Sequence, residues 1–178
     1  MTSRDRVILS LNHQPVDRIP RDLWVAPEVG GQQADEVEEL RFRYPADLTR
    51  PEFRYPRGER SQGSRREVGE YTDAWGCIWQ VPARGRLGEL LRAPLADWSA
   101  WDHYRPPLEI LERADLSAAN RSRAASSQFV LFWSQARPLA RLQALRGTEA
   151  AFADLAHGTS QARDLLAMIH DFQCREMR

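Results

Sequence analysis

Histidine and cysteine are the residue types of this chain that most readily bind metals, and their spacing decides whether they could. The chain has four histidines and two cysteines: His13, His103, His157, His170, Cys77 and Cys174. Only His170 and Cys174 are close in sequence, and their separation of four residues places them on one face of a helix. A structural zinc ion needs four ligands. The pattern therefore predicts no metal and no cofactor, and a solvated helix face or a partly buried thiol is the favoured interpretation.

Arginines and aromatic rings provide the second kind of candidate chemistry. All basic residues are arginine, and six of them interleave with three rings: Arg50, Arg54, Arg57, Arg60, Arg65 and Arg66 with Phe53, Tyr55 and Tyr71. Such interleaving is typical of nucleic-acid or phosphate-binding loops. Four glutamates dilute this stretch, and 25 basic against 25 acidic residues leave a formal net charge of zero. A solvated loop is the more common structure for such a segment, so we expect no nucleic-acid partner.

Cysteine usage and apolar runs limit the compartment. The two cysteines lack the spacing of a disulfide framework, which favours a reducing environment. The N-terminus MTSRDRVILSL has no apolar signal-peptide core, and nowhere do about 18 apolar residues run together. We expect a cytoplasmic protein without a membrane partner.

Local patterns in the first part of the chain predict short elements. Thr2 and Asp5 fit a capping box ahead of an apolar stripe, which predicts a helix over the first dozen residues. Residues 19–25 contain Leu23, Trp24 and Val25, which predict the first buried core strand. Residues 35–44 predict a short helix that Pro45 ends.

Residues 45–107 differ in character, since prolines, arginines and aromatic residues are mixed there with little helical periodicity. We predict a long, irregular, surface-facing insertion after the first strand. Within it, residues 72–80 have the composition of a strand, and residues 85–91 are suited to return as its hairpin partner.

The remainder of the chain alternates helical and strand-like segments. Residues 108–118 predict a helix, and the apolar run 128–133 predicts a strand buried on both faces, as in a parallel sheet. Three helical segments follow, with Pro138 in a first turn and Gly147 and Gly158 at C-terminal ends. In the last helix, Leu165, Ile169 and Phe172 share one face. This alternation, without internal repeats, predicts an α/β fold in one domain, residues 1–178.

Five segments in this order carry a family resemblance: SRDRVILSLNHQPVDRIPRDLW, YTDAWGCIWQ, PLADWSAWDHYRPP, LRGTEAAFADLA and LLAMIHDF. Together they resemble the uroporphyrinogen decarboxylase superfamily, closer to its methyltransferase-like and uncharacterised branches, over nearly the whole chain. The resemblance implies a (β/α)8 TIM barrel. It also implies either cofactor-independent decarboxylation in porphyrin metabolism or zinc-dependent methyl transfer involving corrinoid proteins, so a tetrapyrrole or corrinoid-related small molecule is the expected ligand.

The resemblance assigns one catalytic residue, Asp73 in TDAWG, at the position of the aspartate that recognises substrate pyrroles and stabilises a cationic intermediate. The alternative is that Asp73 caps a turn by accepting backbone hydrogen bonds. Two family features are missing. The segment WVAPEVGGQQ has no substrate-binding arginine, and the position of the family's tyrosine falls near Leu142. Decarboxylation of uroporphyrinogen itself is therefore disfavoured.

A complete barrel of this kind needs roughly 250 residues. We therefore expect a truncated family member that forms the N-terminal part of the barrel and lacks the later half, where the methyltransferase branch carries its zinc ligands. Open strand edges predict a homodimer or a separately encoded C-terminal half as partner, and negligible activity for the chain alone. Whether the chain is an enzyme stays open, because a non-catalytic fragment or interaction module is the alternative.

Overall fold

A computed structural model describes residues 1–25, 33–51, 55–132 and 136–177. Within these residues the chain is mixed α/β with small sheets, which confirms the predicted α/β class. The same residues form no closed barrel, so the predicted partial barrel is not confirmed. The chain divides into two units. Unit 1 is Met1–Arg54 with Asp115–Trp133, and unit 2 is Tyr55–Ala114 with Ser134–Arg178.

The elements follow one another along the chain in a mixed order. They are α1 (Ser3–Leu11), α2 (Ala34–Arg43), β1 (Leu48–Thr49), β2 (Gly69–Thr72), β3 (Ile78–Val81), β4 (Glu89–Arg92), a 3-10 helix (Trp98–His103), α3 (Glu109–Glu112), α4 (Ser117–Ala125), β5 (Phe129–Val130), α5 (Pro138–Arg146), α6 (Thr148–His157) and α7 (Ser160–Glu176).

The capping box at the start of unit 1 is confirmed. The Thr2 hydroxyl accepts a hydrogen bond from the Asp5 amide at 3.1 Å, and the Asp5 carboxylate accepts one from the Thr2 amide at 3.2 Å. The predicted second helix is confirmed as α2. In the same unit β1 and β5 pair in parallel, with Leu48 opposite Phe129. Because parallel strands cannot be joined by a tight hairpin, this pair requires a long crossover connection.

The predicted first core strand at residues 19–25 is wrong. No strand forms there, and Ile19 and Trp24 are 82% and 65% exposed. The backbone of Arg21 is engaged elsewhere: its amide donates to the Asp47 carboxylate at 2.7 Å, and its carbonyl accepts from the Asp47 amide at 2.8 Å. Asp22 likewise binds the Arg50 guanidinium. These polar anchors hold the segment in an irregular conformation that the three apolar residues do not override.

The predicted strand at residues 128–133 is shorter and more exposed than expected. Only Phe129–Val130 is a strand, both of its residues are half-buried, and Phe132 is 44% exposed. Trp133 lies outside the described residues. Burial on both faces is therefore wrong, because the paired strand β1 is itself only two residues long and offers little surface to cover β5.

Unit 1 contains a buried cluster of charges. The Asp47 side chain is fully buried and accepts hydrogen bonds from the Arg6 and Arg18 guanidinium groups at 2.6 Å each. Arg6 also binds Asp17, at 2.6 Å. Burial alone would raise the pKa of Asp47, but hydrogen bonds from Arg18 and the Arg21 amide outweigh it and hold the pKa well below its ordinary value. The hydrogen bond from Arg6 lowers the pKa of Asp17 to about 2.

Unit 2 contains a three-stranded antiparallel sheet in the order β2–β3–β4. The predicted pairing of the two hairpin segments is confirmed as β3 with β4, although Thr72 ends β2 and residues 73–76 of the predicted strand form a turn. The prediction of a surface-facing insertion over residues 45–107 is wrong in unit 2, since several of its residues are buried: Trp75, Cys77, Val81, Leu95 and Tyr104. Large aromatic side chains stabilise a fold most when buried, and proline ends strands without preventing short ones.

The three C-terminal helices of unit 2 are confirmed. Pro138 opens α5, and Gly158 ends α6 in the left-handed conformation with φ of 63°. In α7 the face that includes Leu165, Ile169 and Phe172 is buried, and the Phe172 ring packs edge-on against Trp75 with centroids 4.6 Å apart.

The helix predicted at residues 108–118 is instead two helices, α3 and α4. Ahead of α4, the Asp115 carboxylate accepts a hydrogen bond from the Ser117 amide.

Candidate functional site

Asp73 lies in the turn between β2 and β3 of unit 2. Its Oδ1 accepts hydrogen bonds from the Trp75 amide at 3.0 Å and from the Cys77 amide at 2.9 Å. The turn is closed by Gly76, whose φ of 82° is unfavourable for residues with a Cβ and whose amide donates to the Asp73 carbonyl. This geometry is the turn-capping arrangement that the sequence offered as the alternative to catalysis.

The second oxygen of Asp73 reaches beyond the turn. Asp73 Oδ2 accepts from Trp79 Nε1 at 3.0 Å and lies 3.4 Å from Arg141 Nη1 of α5. The Arg141 guanidinium is also 4.6 Å from the centroid of the Trp75 ring, within the range of a cation–π interaction. Asp73 thus links the β2–β3 turn to a helix, and its side chain is still 22% exposed. A carboxylate in this position can stabilise a bound cation by its negative charge while it also holds the turn.

Two reactive side chains beneath the turn are held in their neutral forms. Cys77 is fully buried, its Sγ lies 3.4 Å from the carbonyl oxygen of Ala144, and burial raises the pKa of the thiol to about 12. The Tyr104 hydroxyl donates to the Trp75 carbonyl at 2.9 Å, and burial raises the pKa of this phenol well above its ordinary value. Since the thiolate is the nucleophile, Cys77 serves as an apolar core residue.

The other positions considered from the sequence do not join Asp73. Leu142, at the position of the family's tyrosine, is fully buried in the apolar core. Most of WVAPEVGGQQ falls on residues 26–32, outside the described residues. On α7, Cys174 Sγ lies 3.4 Å from His170 Nε2. Over the ranges that the structure describes, no group of three or more histidine, cysteine, aspartate or glutamate side chains could hold a metal ion.

Sequence reasoning missed a cleft beside the sheet of unit 2. The cleft has a volume of about 810 Å³ and is lined by Arg65, Arg66, Tyr71, Trp79, Arg84, Gly85, Arg86, Leu87 and Gly88. Trp79 connects it to Asp73 through the indole hydrogen bond. The arginines at 65 and 66 were part of the interleaved stretch, but those at 84 and 86 lie in the β3–β4 loop. A signal was available in the predicted hairpin, which carries Arg84 in its loop and Arg86 in its predicted second strand.

Comparisons with proteins of known sequence or structure give no assignment. No helix in the described part of the chain is both long and apolar enough to cross a membrane. No protein-family model, no curated protein and no solved structure matches this chain.

Proposed function

We propose that this chain forms the N-terminal strands and helices of a (β/α)8 barrel related to the uroporphyrinogen decarboxylase superfamily. Its ancestral activity is decarboxylation of a tetrapyrrole or corrinoid-linked methyl transfer. The observation that carries the proposal is the parallel pairing of β1 with β5, two strands about 80 residues apart, because adjacent barrel strands are parallel and joined by crossovers. Helices α5, α6 and α7 follow β5 along the chain, as helices follow strands in such barrels.

In this proposal Asp73 supplies the negative charge. Protonation of a pyrrole carbon creates a cation, and a fixed carboxylate lowers the energy of that intermediate without reorganising. The support is geometric: Asp73 is held by two backbone amides and by Trp79, yet part of its side chain faces solvent. The ligand is a tetrapyrrole or corrinoid-related molecule, and the complete site is formed in a homodimer.

A specific observation favours the alternative of a non-catalytic interaction module. Both oxygens of Asp73 already have two donors each, from Trp75, Cys77, Trp79 and Arg141. A carboxylate with this many partners stabilises a turn whether or not a substrate is present. The alternative therefore assigns Asp73 to folding alone.

Turnover measurements separate the two functions. The purified chain, with its mass measured by light scattering, is incubated with a set of carboxylated tetrapyrroles that includes uroporphyrinogen, and separately with methylcobalamin and a thiol acceptor. Loss of carboxyl groups or formation of a methylated thiol, reduced about tenfold or more in kcat by Asp73→Asn at unchanged KM, supports the catalytic proposal.

The matched control is Asp97→Asn, because Asp97 also caps a local turn by accepting from the Ser99 amide at 2.7 Å. It should leave kcat unchanged. Wild-type protein that is a folded dimer by light scattering and circular dichroism but turns over neither class of substrate contradicts the catalytic proposal and favours the interaction module.

A further inference from the structure

The cleft beside the β2–β4 sheet concentrates positive charge from two loops. Arg65 and Arg66 precede β2, whereas Arg84 and Arg86 lie in the loop that joins β3 to β4. All four side chains line the same cleft, although the two pairs are about 20 residues apart in sequence. The antiparallel register brings the loops together, since Gly69 at the start of β2 is opposite Val81 at the end of β3.

Among the described residues, no ion pair involves Arg65, Arg66, Arg84 or Arg86. Strand alternation explains why the glutamates of the sheet do not pair with these arginines. Glu70 is opposite Gln80, which is in turn opposite Glu89, so Glu70 and Glu89 lie on one face of the sheet. Successive side chains point to opposite faces of a sheet, so these glutamates lie on the face away from Tyr71 and Trp79. Glu67, in the loop before β2, does not line the cleft.

The apolar part of the cleft is a pair of parallel rings. Tyr71 and Trp79 are opposite each other on β2 and β3, with centroids 6.3 Å apart and planes at 12°. The Trp79 indole is fixed by its hydrogen bond to Asp73. Burial raises the pKa of Tyr71, which keeps its phenol neutral beside the arginines. The Trp79 ring is therefore oriented before any ligand arrives, and the Tyr71 ring is stacked on it.

A glycine keeps this ring pair accessible. A Cβ added at Gly88 would lie 3.1 Å from Tyr71 Cε1 and 3.3 Å from Trp79 Cβ, closer than ordinary van der Waals contact. Gly88 lacks a positive φ, so its requirement is for space and not for an unusual backbone conformation. Any side chain here would crowd the rings from the β4 side.

We propose that this cleft binds a small phosphorylated molecule that carries a planar ring, of the class of nucleoside diphosphates. Guanidinium groups bind phosphate oxygens in a bidentate geometry, and a phosphate group offers three acceptor oxygens with more charge than a carboxylate. The ring of the ligand packs on Tyr71 and Trp79. A cleft of about 810 Å³ is within the size range of small-molecule sites. This proposal is independent of the ancestral activity, because it uses neither the barrel nor turnover.

Isothermal titration calorimetry tests the proposal with ADP, pyrophosphate and adenosine as separate probes. Wild-type protein is expected to bind ADP more tightly than either fragment. Arg84→Gln/Arg86→Gln should weaken ADP binding by about tenfold or more, because two charge-assisted contacts are lost. The control Arg121→Gln/Arg163→Gln removes the same charge at exposed arginines outside the cleft and should change the affinity less than about twofold.

A second variant measures the contribution of the ligand's ring to binding separately from that of its phosphates. Gly88→Ala should weaken binding of ADP but leave binding of pyrophosphate unchanged, since the added methyl group crowds only the ring pair. The proposal is overturned if wild-type protein binds no ADP at about 1 mM, or if the two arginine variants weaken ADP equally. It is also overturned if single-stranded RNA binds more tightly than ADP with an affinity that rises with length, because the occupant is then a nucleic acid. The readout is binding, so failure here leaves the turnover test unaffected.

Discussion

The two units of this chain are stabilised by different kinds of burial. In the described part of unit 1, the buried apolar side chains are Val7 and Val37, beside the buried charges of Arg6 and Asp47. Among its described residues, unit 2 has one buried charged residue, Arg146, but most of its burial lies in a large apolar cluster that includes Trp75, Leu95, Leu142, Leu145, Leu165, Ile169 and Phe172. Apolar burial is non-directional and tolerates changes of pH, whereas a buried ion pair is stable only while both partners are charged. The two units should therefore respond differently to the same perturbation.

The largest loss is expected from a cavity in unit 2. Leu165 is fully buried on α7, so Leu165→Ala removes its side chain from the middle of the apolar cluster. The expected destabilisation is about 4 kcal/mol. Urea unfolding followed by hydrogen exchange with mass spectrometry resolves which unit is affected. The control Leu155→Ala truncates a leucine that is exposed on α6 and should cost far less; equal losses would show that the cluster is not a well-packed core.

The next largest loss is expected in unit 1, from Asp47→Asn. The substitution keeps the size of the side chain but leaves the Arg6 and Arg18 guanidinium groups facing a neutral amide. We expect a cost of about 3 kcal/mol, at the lower end for a broken buried pair because Arg18 is partly solvated. Peptides of unit 1 should lose protection while those of unit 2 keep theirs. Unchanged exchange in unit 1 would mean that the charge cluster contributes little.

Acid should remove part of the same stabilisation. The pKa values of Asp47 and Asp17 are depressed in the folded protein, that of Asp17 to about 2, against about 3.9 for an unfolded aspartate. Stability from a depressed pKa is present above the unfolded value and is lost as the pH falls toward the folded one. Protection of unit 1, corrected for intrinsic exchange, should therefore fall between pH 4 and pH 2. Asp47→Asn should flatten this pH dependence. An equal fall of protection in unit 2 would contradict the claim that the two units respond differently to acid.

The comparison also explains which elements could be predicted from the sequence. The cap at Thr2, the ends of α5 and α6, and the buried face of α7 are encoded by neighbouring residues, and all were predicted. The charge cluster of unit 1 joins Arg6, Asp17, Arg18 and Asp47, whose partners are up to 41 residues apart and show no local pattern. The strand predicted at residues 19–25 failed for this reason, since Arg21 is bound to Asp47.

The candidate site likewise has features that neighbouring residues encode and features that depend on residues distant in sequence. That Asp73 caps a turn was recognised as an alternative because the residues that follow it are close in sequence. Its contact with Arg141 spans 68 residues and depends on how α5 packs against the turn. The cleft depends on the register of β2 with β3 and of β3 with β4, which places Arg65 and Arg84 along the same cleft. The composition of the chain indicated arginine and aromatic side chains as candidate binding groups, but only the tertiary structure places them in one cleft.

The smallest expected effect comes from a pair of matched helix caps. Thr2 accepts from the Asp5 amide at the start of α1 in unit 1, and Thr159 accepts from the Ala162 amide at the start of α7 in unit 2. Thr2→Ala and Thr159→Ala should each cost about 1 kcal/mol of helix stability. Exchange should rise more in α1, because α7 is also held by its buried apolar face. Thr148→Ala, a threonine in the first turn of α6 where no side chain caps the helix, is the control and should have little effect. Equal fraying of α1 and α7 would show that tertiary packing supports both helices alike, and the contrast between the two units would then be confined to their response to charge.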